Sequence, residues 1–296
     1  MKIKNLLFLS LCLFVKQVSA QTGEPVELSV IYQFVHINDL NKPDKPFEQE
    51  MVLSLGKTES SYHNWTINVK AKTPPKQVSS ASKPVTKGAV YSFVPTVFID
   101  SKGVQDYDLL QYPALNKLTK IVMLGASMYR IETTLPKIDW KVYQEKKQIG
   151  GYSCQKAVGS YAGRTYTAWF AAELPFSSGP WKLSGLPGLI LEAKDATGQV
   201  AFLFKEFNKE SGKTTAPKTS RSVKVSESAY QRAYEAFDKD PVALYQSQLP
   251  IGTDKAELVF KDDSGISYYG EEGKKLYDAY KKDLKRRKNN PLELKK

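Results

Sequence analysis

Residues able to do acid–base or metal chemistry are scarce in this chain. It contains two histidines, His36 and His63. Both lie in strand-like stretches, and they do not have the spacing of a metal-binding motif. A Ser-His-Asp triad needs one well-placed histidine, and the Gly-x-Ser-x-Gly turn is absent from the sequence. The pattern favours structural histidines and predicts no metal and no cofactor.

Cys154 is a second candidate for chemistry, as a nucleophile. A cysteine reacts as its thiolate, which needs a base or a cation nearby. Lys156 lies two residues further along the same strand face. The alternation of this strand nevertheless favours a buried, inert thiol.

Carboxylates offer a third kind of chemistry, because two acids across a cleft can hydrolyse glycans without a histidine. Glu173, Glu192 and Asp195 lie close together in the sequence, and Arg164 is a candidate charge partner. The alternation of its strand predicts that Glu192 lies on the wetter face. A hydrolase built on carboxylates is therefore one hypothesis for the function.

The stretch at residues 169–191 is unusual because an apolar loop stands where a polar connection is expected. Gly-Pro and Pro-Gly corners at residues 179–180 and 187–188 are strong turn signals, and Trp181 and Leu186 lie between them. Such a loop must pack against the body of the protein or against another molecule. It is either a plug for the β structure or a binding site.

Ligand or partner binding is predicted for this loop and the strand before it. The candidate residues are Arg164, Trp169, Gly179, Pro180, Trp181, Leu186 and Pro187. Proline fixes backbone angles and glycine permits unusual ones, so the loop is expected to have a defined shape. The deciding observation is whether a lined cavity opens beside Trp181.

The elements that must position these residues are mostly strands. Alternating hydrophobicity, interrupted by turn clusters, predicts a mainly β protein of the α+β class. Three hairpins with glycine-containing turns are predicted, which join residues 152–160 to 164–171, 189–194 to 199–207, and 255–261 to 266–269. Since short turns impose antiparallel pairing, we expect a curved antiparallel sheet or half-barrel built of hairpins.

Two helices are predicted in the C-terminal part. Residues 228–238 place aromatic side chains on one face, begin with a capping box of Ser228 and Gln231, and end before Pro241. Residues 274–288 carry an apolar stripe among lysines and end in a basic run, which suits the end of a helix.

The domain organisation is expected to be simple. Polar stretches at residues 73–88 and 211–222 are predicted loops within one domain, because the strands on both sides need partners. Residues 21–270 are therefore predicted to form a single antiparallel β-rich domain. A basic amphipathic helix and tail follow at residues 271–296.

The first twenty residues have the three-part pattern of a secretory signal peptide. Lys2 and Lys4 precede an apolar run at residues 6–15, and small residues precede a cleavage site after Ala20. The run is shorter than the roughly 20 residues that span a bilayer. Cys12 only faintly resembles a lipoprotein box. We expect export to the periplasm or the outer-membrane periphery, and no transmembrane segment.

Composition restricts the class of partner. Cleavage would leave Cys154 as the only cysteine, so no internal disulfide could form. It would also leave 40 basic against 31 acidic residues, a formal net charge of +9. Outside the cytoplasm this charge favours lipid head groups, lipopolysaccharide phosphates or acidic polymers over nucleic acid. A lysine-rich solvated surface explains it more simply.

Several motifs in one region resemble a known family. Residues 185–190 read GLPGLI, the hexapeptide of the GLPGLI family of exported Bacteroidota proteins. Residues 151–157, 163–170 and 175–180 resemble the same family, in the same order. The resemblance implies a cell-envelope protein, often found beside outer-membrane TonB-dependent receptors. It implies no activity and no catalytic residue.

Three hypotheses for the function therefore remain. The first is a non-catalytic envelope protein that binds an apolar ligand or an outer-membrane partner through the apolar loop. The second is an adaptor that binds anionic envelope polymers through its basic C-terminal helix. The third is the carboxylate-based envelope hydrolase. The same strand pattern fits all three, so periodicity cannot choose among them.

Overall fold

The computed structural model describes residues 23–64, 96–98, 107–125, 127–208, 214–215, 222–248, 259–261 and 266–295. The predicted signal peptide, the predicted loop at residues 73–88 and most of the loop at residues 211–222 lie outside the described residues. Within them the protein is mainly β with three helices, which confirms the predicted fold class.

Fifteen strands in the described residues form one large and one small sheet. The strands are β1 (Leu28–His36), β2 (Phe47–Leu55), β3 (Ser60–Asn64), β4 (Thr96–Phe98), β5 (Tyr107–Tyr112), β6 (Lys117–Leu124), β7 (Ser127–Thr134), β8 (Lys141–Ile149), β9 (Tyr152–Tyr161), β10 (Arg164–Ala171), β11 (Leu189–Asp195), β12 (Val200–Asn208), β13 (Val223–Val225), β14 (Val259–Lys261) and β15 (Ser267–Tyr269). The large sheet has the order β13-β7-β6-β5-β3-β2-β1-β12-β11-β10-β9-β8, and the small one the order β15-β14-β4.

The large sheet consists of two antiparallel meanders joined side by side. The first meander consists of β1, β2, β3, β5, β6 and β7, and the second runs from β8 to β12. They meet where β1 pairs with β12 from Ser29↔Asn208 to His36↔Val200. The short strand β13 is added in parallel to β7. Among the described strands, β13 and β8 are the two edges of this curved sheet, so these strands do not close it into a barrel.

The predicted hairpins are confirmed, the third in shortened form. Strands β9 and β10 pair around a turn at residues 162–163, and β11 pairs with β12. Gly163 and Gly198 in these turns have φ angles of +82° and +71°, which favour glycine. Strands β14 and β15 pair over three residues each. Strand β8 begins at Lys141, so Ile138 and Trp140 lie in the connection before it.

One face of the alternating strands forms the main hydrophobic core. Tyr32 and Phe34 of β1 and Tyr166 and Phe170 of β10 are at most 1% exposed. Phe34 stacks on Phe202 of β12 with ring centroids 5.1 Å apart. These contacts pack the two meanders together, because side chains two residues apart share one face of a pleated strand.

Three α-helices are present in the described residues, the two predicted ones and one more between them. They are α1 (Glu227–Lys239), α2 (Pro241–Gln248) and α3 (Gly270–Arg287). A proline that ends one helix can also begin the next. The backbone N–H groups in the first turn of a helix make no hydrogen bond within it, so proline, which lacks this group, is tolerated there. Asp240 caps α2, since its Oδ1 accepts a hydrogen bond from the backbone N–H of Ala243 at 3.1 Å.

The first helix begins before the predicted residue. Ser226 is the cap, and its Oγ accepts from the backbone N–H of Ala229 at 3.2 Å, so the predicted capping box is wrong. Tyr230 packs against the first meander, and Phe237 meets Tyr277 of α3 edge-on at 6.4 Å. The helices therefore pack on the sheet and on each other.

Candidate functional site

The connection between β10 and β11, residues 172–188, is here called the motif loop. Its Trp181 is fully buried and contacts the second meander at two strands. The indole stacks on Phe202 of β12 at 6.1 Å between ring centroids, and it meets Tyr161 of β9 edge-on at 5.4 Å. Leu186 is also buried. The loop therefore plugs the inner face of the curved sheet.

Hydrogen bonds fasten the motif loop to the first meander and to the linker that follows it. The Gln111 Nε2 group of β5 donates to the carbonyl of Trp181 at 2.7 Å. The indole N–H of Trp140, in the linker between the meanders, donates to the carbonyl of Ser184 at 2.9 Å. Buried carbonyls need such partners, so these bonds keep the loop in one position.

The corners of the motif loop require glycine because the backbone approaches other backbone. Gly188 has φ +153°, and a Cβ there would lie 2.3 Å from the carbonyl oxygen of Ala171. A Cβ on Gly179 would lie 2.6 Å from the carbonyl oxygen of Leu183. Trp181 itself has φ +56°, a conformation that costs energy for a bulky residue. The loop is thus a tightly specified structure.

The seven predicted site residues are not all at one surface. The buried ones are Arg164, Gly179, Pro180, Trp181 and Leu186. Pro187 is exposed, and Trp169 is half-buried, with the ammonium of Lys147 4.7 Å from its ring centroid. Their binding role stays a prediction. A buried residue could contribute only by holding neighbouring segments in shape.

Arg164 holds the C-terminal segment, defined as residues 289–295. Its Nη1 group donates to Asp195 at 2.7 Å, and its Nη2 group donates to the side chain of Asn290 at 2.6 Å and to the carbonyl of Pro291 at 2.7 Å. The two charged side chains are 2% and 1% exposed. The planar guanidinium suits such a clasp because it donates in several fixed directions.

Two of the three predicted carboxylates, Asp195 and Glu192, have ion-pair partners. Besides binding Arg164, Asp195 accepts the backbone N–H of Val200 at 3.0 Å, which fixes the turn between β11 and β12. Glu192 pairs with Lys147. Glu173 is exposed at the start of the motif loop. A buried carboxylate whose oxygens both accept hydrogen bonds is poorly placed for acid–base catalysis, so Asp195 supports a structural role.

The other two kinds of chemistry considered, a cysteine nucleophile and a metal site, have no support in the part of the chain that the structure describes. Cys154 is buried, and burial raises the pKa of its thiol to about 11. Lys156 pairs with Glu145 at 3.0 Å rather than with the thiol. Among the described residues no cluster of His, Cys, Asp and Glu could hold a metal ion.

His36 lies beside the Arg164 clasp, and its charge state links stability to pH. Burial and the Arg164 guanidinium lower the pKa of the imidazole from 6.5 to about 4. The unfolded chain therefore binds more protons between these values, so the free energy of unfolding falls as the pH falls. We expect a loss of about 2 kcal/mol between pH 7 and pH 5, measured by urea unfolding.

The variant His36→Gln is expected to remove most of this loss between pH 7 and pH 5. His63→Gln, which removes the other histidine of the chain, is the matched control and should keep it. An unchanged pH dependence in His36→Gln would contradict the assignment.

An open groove of about 760 Å³ lies beside the motif loop. The loop contributes one wall with Lys182, Ser184 and Gly185, and residues 133–138 at the end of β7 and in the linker contribute the other. Tyr161 lines the groove and also touches Trp181. Trp181 itself does not line the groove, but its neighbours Tyr161 and Lys182 do.

The groove combines an apolar floor with a rim of basic and uncharged polar residues. Leu118 and Ile138 line it and are 4% and 9% exposed. Lys137 is an exposed lining residue, and Lys182 is half-buried. A ligand with an apolar body would gain from the floor by the hydrophobic effect.

Most of the groove was not predictable from local patterns. Leu118, Tyr161 and residues 133–138 belong to strands and a linker that look ordinary in the sequence. Only the motif loop carried a signal, through its apolar residues between two corners.

None of the helices in the described ranges is long and apolar enough to cross a bilayer.

The comparisons with known proteins bear on the same region of the chain. A family model described as "Protein of unknown function (Porph_ging)" matches residues 161–192. The matched residues include β10, the motif loop and the start of β11. The likeness is therefore concentrated on the plug and on one end of the groove, which partly fits the resemblance seen in the motifs.

Solved structures of PNGF-II in two crystal forms are similar to this chain. Both are 15% identical to it, with TM-scores of 0.49 and 0.47. The matches cover 71% and 70% of this chain but 33% and 32% of the PNGF-II chain. This chain thus spans about a third of the length of that protein. No curated protein matches the chain at a significant level.

Proposed function

We propose that this protein is an exported, non-catalytic cell-envelope protein of the GLPGLI type that binds an apolar ligand in the groove. The motifs at residues 151–190 and the family match at residues 161–192 support the envelope assignment. The groove supports the binding role, because ligand sites are typically concave and combine apolar surface with polar groups that fix the orientation of the ligand.

The observation that carries the proposal is an apolar floor beside a wall held in place. Leu118 and Ile138 line the floor. The wall is held by the bond from Trp140 to Ser184 and by the packing of Trp181 on Tyr161. A wall that is already ordered costs little conformational entropy on binding, so more of the hydrophobic gain appears as affinity.

The inner face of the curved sheet is a poorer place for a ligand. Trp181 and Leu186 are at most 1% exposed and belong to the main core cluster. A ligand there would have to displace these side chains and lose their packing. The groove on the outer side of the plug needs no such rearrangement.

The other two hypotheses have weaker support. Lys285 and Arg286 near the end of α3 are 77% and 78% exposed, but they lie 3.7 Å and 2.7 Å from Asp238 and Asp283. An adaptor role for this helix, and a TonB-dependent receptor as a partner, stay predictions. The hydrolase hypothesis is weakened because Asp195, one of its candidate carboxylates, forms a buried ion pair with Arg164.

Filling the groove with a large side chain tests the proposal. The neutral dye N-phenyl-1-naphthylamine, followed by its fluorescence, is expected to bind the wild-type protein saturably. Thr134 is an exposed lining residue, so the indole of Thr134→Trp would occupy part of the groove. We expect this variant to bind the dye at least about tenfold more weakly.

Thr165→Trp is the matched control. Thr165 is also an exposed strand threonine, but it is not among the residues that line the groove. The control should bind the dye like the wild type. No saturable binding to the wild type, or equal binding by Thr134→Trp and the wild type, would refute the proposed function.

A further inference from the structure

We propose that the ligand of the groove is an anionic amphiphile, and that Lys182 binds its head group in place of Glu293. This inference rests on the proposed function and adds the charge of the ligand. It concerns a single ion pair at the edge of the groove, between the motif loop and the C-terminal segment.

The ion pair joins a residue of the groove to a residue outside it. Lys182 lines the groove, and its Nζ lies 2.6 Å from Oε1 of Glu293. The two side chains are 20% and 33% exposed, so solvent or a ligand can reach the pair. The Glu293 carboxylate thus occupies the position in which a carboxylate or phosphate of a ligand would neutralise Lys182.

The charges around the groove favour an anion. The lining residues include two lysines, Lys137 and Lys182, and no acidic residue. Glu293 supplies the nearby negative charge from the C-terminal segment. Its field reaches the groove, because burial and then the Glu293 carboxylate raise the pKa of Tyr161 to about 12. An amphiphile would place its tail on the apolar floor and its head group at this basic rim.

Exchange of one carboxylate for another is an easy step here. A partly exposed ion pair contributes little stability, because water already screens it. The C-terminal segment has other attachments, since Asn290 binds Arg164 and the backbone N–H of Leu294 donates to the carbonyl of Ala162 at 2.9 Å. Glu293 can therefore release Lys182 while the segment stays in place.

Decanoate and decanol form a matched pair of probes, because they have tails of the same length and differ in charge at pH 7.5. Isothermal titration calorimetry should give roughly tenfold tighter binding of decanoate to the wild-type protein, since charge-assisted hydrogen bonds are stronger than neutral ones. Acetate, which has the charge without the tail, should show no measurable binding.

Two variants test the exchange. Lys182→Met should remove the preference for decanoate and leave decanol unchanged. Glu293→Gln should tighten decanoate several-fold, because its amide no longer competes for the ammonium, and should also leave decanol unchanged. Thermal unfolding checks that both variants fold, and the comparison of the two probes on the wild type needs neither variant.

Each contrary result overturns the inference in a distinct way. Equal binding of decanoate and decanol would show that the anionic head group does not contribute to affinity. Binding of acetate as tight as that of decanoate would show that the apolar tail does not contribute. Unchanged or weaker decanoate binding by Glu293→Gln would show that the ligand does not replace Glu293 at Lys182. If the neutral dye still binds and Thr134→Trp still blocks it, the proposed function survives these failures.

Discussion

Replacement of Gly188 by alanine is expected to lower the free energy of unfolding by more than about 3 kcal/mol. The added Cβ would lie 2.3 Å from the carbonyl oxygen of Ala171, and the backbone there has φ +153°. Because the backbone fixes the position of the Cβ and the atom it meets is a backbone oxygen, no side-chain rotation can relieve the overlap. The corner would have to move, and with it the plug. Urea unfolding followed by tryptophan fluorescence measures the loss.

Gly185→Ala is the matched control for this prediction. Gly185 also has a positive φ, +92°, but a Cβ there would meet nothing within 4 Å. Its substitution should cost only about 1–2 kcal/mol, the penalty for a left-handed backbone. A variant at Gly188 that fails to fold while Gly185→Ala folds meets the expectation. Equal losses in the two variants would show that the close approach to Ala171 does not matter.

Replacement of Arg164 by methionine is expected to cost about 3–5 kcal/mol and to release the C-terminal segment. The change leaves the Asp195 carboxylate buried without its cation, and it removes three hydrogen bonds to Asn290, Pro291 and Leu292. Hydrogen exchange of the Leu294 amide should become faster, because that amide bonds to the carbonyl of Ala162 only while the segment is docked.

The double variant Arg164→Met with Asp195→Asn separates the two causes. It should recover part of the lost stability, since no buried charge is left unpaired, but the Leu294 amide should still exchange fast. Lys205→Met, which breaks a surface pair with Glu50, should cost at most about 1 kcal/mol. A loss of that small size in Arg164→Met would mean that the clasp is dispensable.

The hairpins were predictable because their information is local. Strands β9 and β10 are joined by two residues, and Gly163 supplies the positive φ that the turn needs. Alternation along each strand then decides which side chains face the core. The helices were less predictable. Ser226, two positions before the predicted cap Ser228, is an equally suitable cap for α1. Pro241 is compatible both with the end of one helix and with the start of the next.

The candidate site was only partly predictable. The apolar residues between two corners correctly indicated a shaped loop that had to bury itself. The sequence could not choose between burial in the protein and burial in a partner, because both satisfy the hydrophobic effect equally. The basic rim could not be predicted from the sequence either, since the ion pair of Lys182 with Glu293 joins distant parts of the chain.

The sequence by itself determined the fold class, the strand pairs joined by short turns and the defined shape of the motif loop. The tertiary structure alone decided that Trp181 lies inside the curved sheet, that Arg164 holds the C-terminal segment and that a groove opens outside the plug. The physical reason is distance along the chain. The two meanders join where Ser29 pairs with Asn208, and such long-range pairing leaves no local pattern in the residues that it brings together.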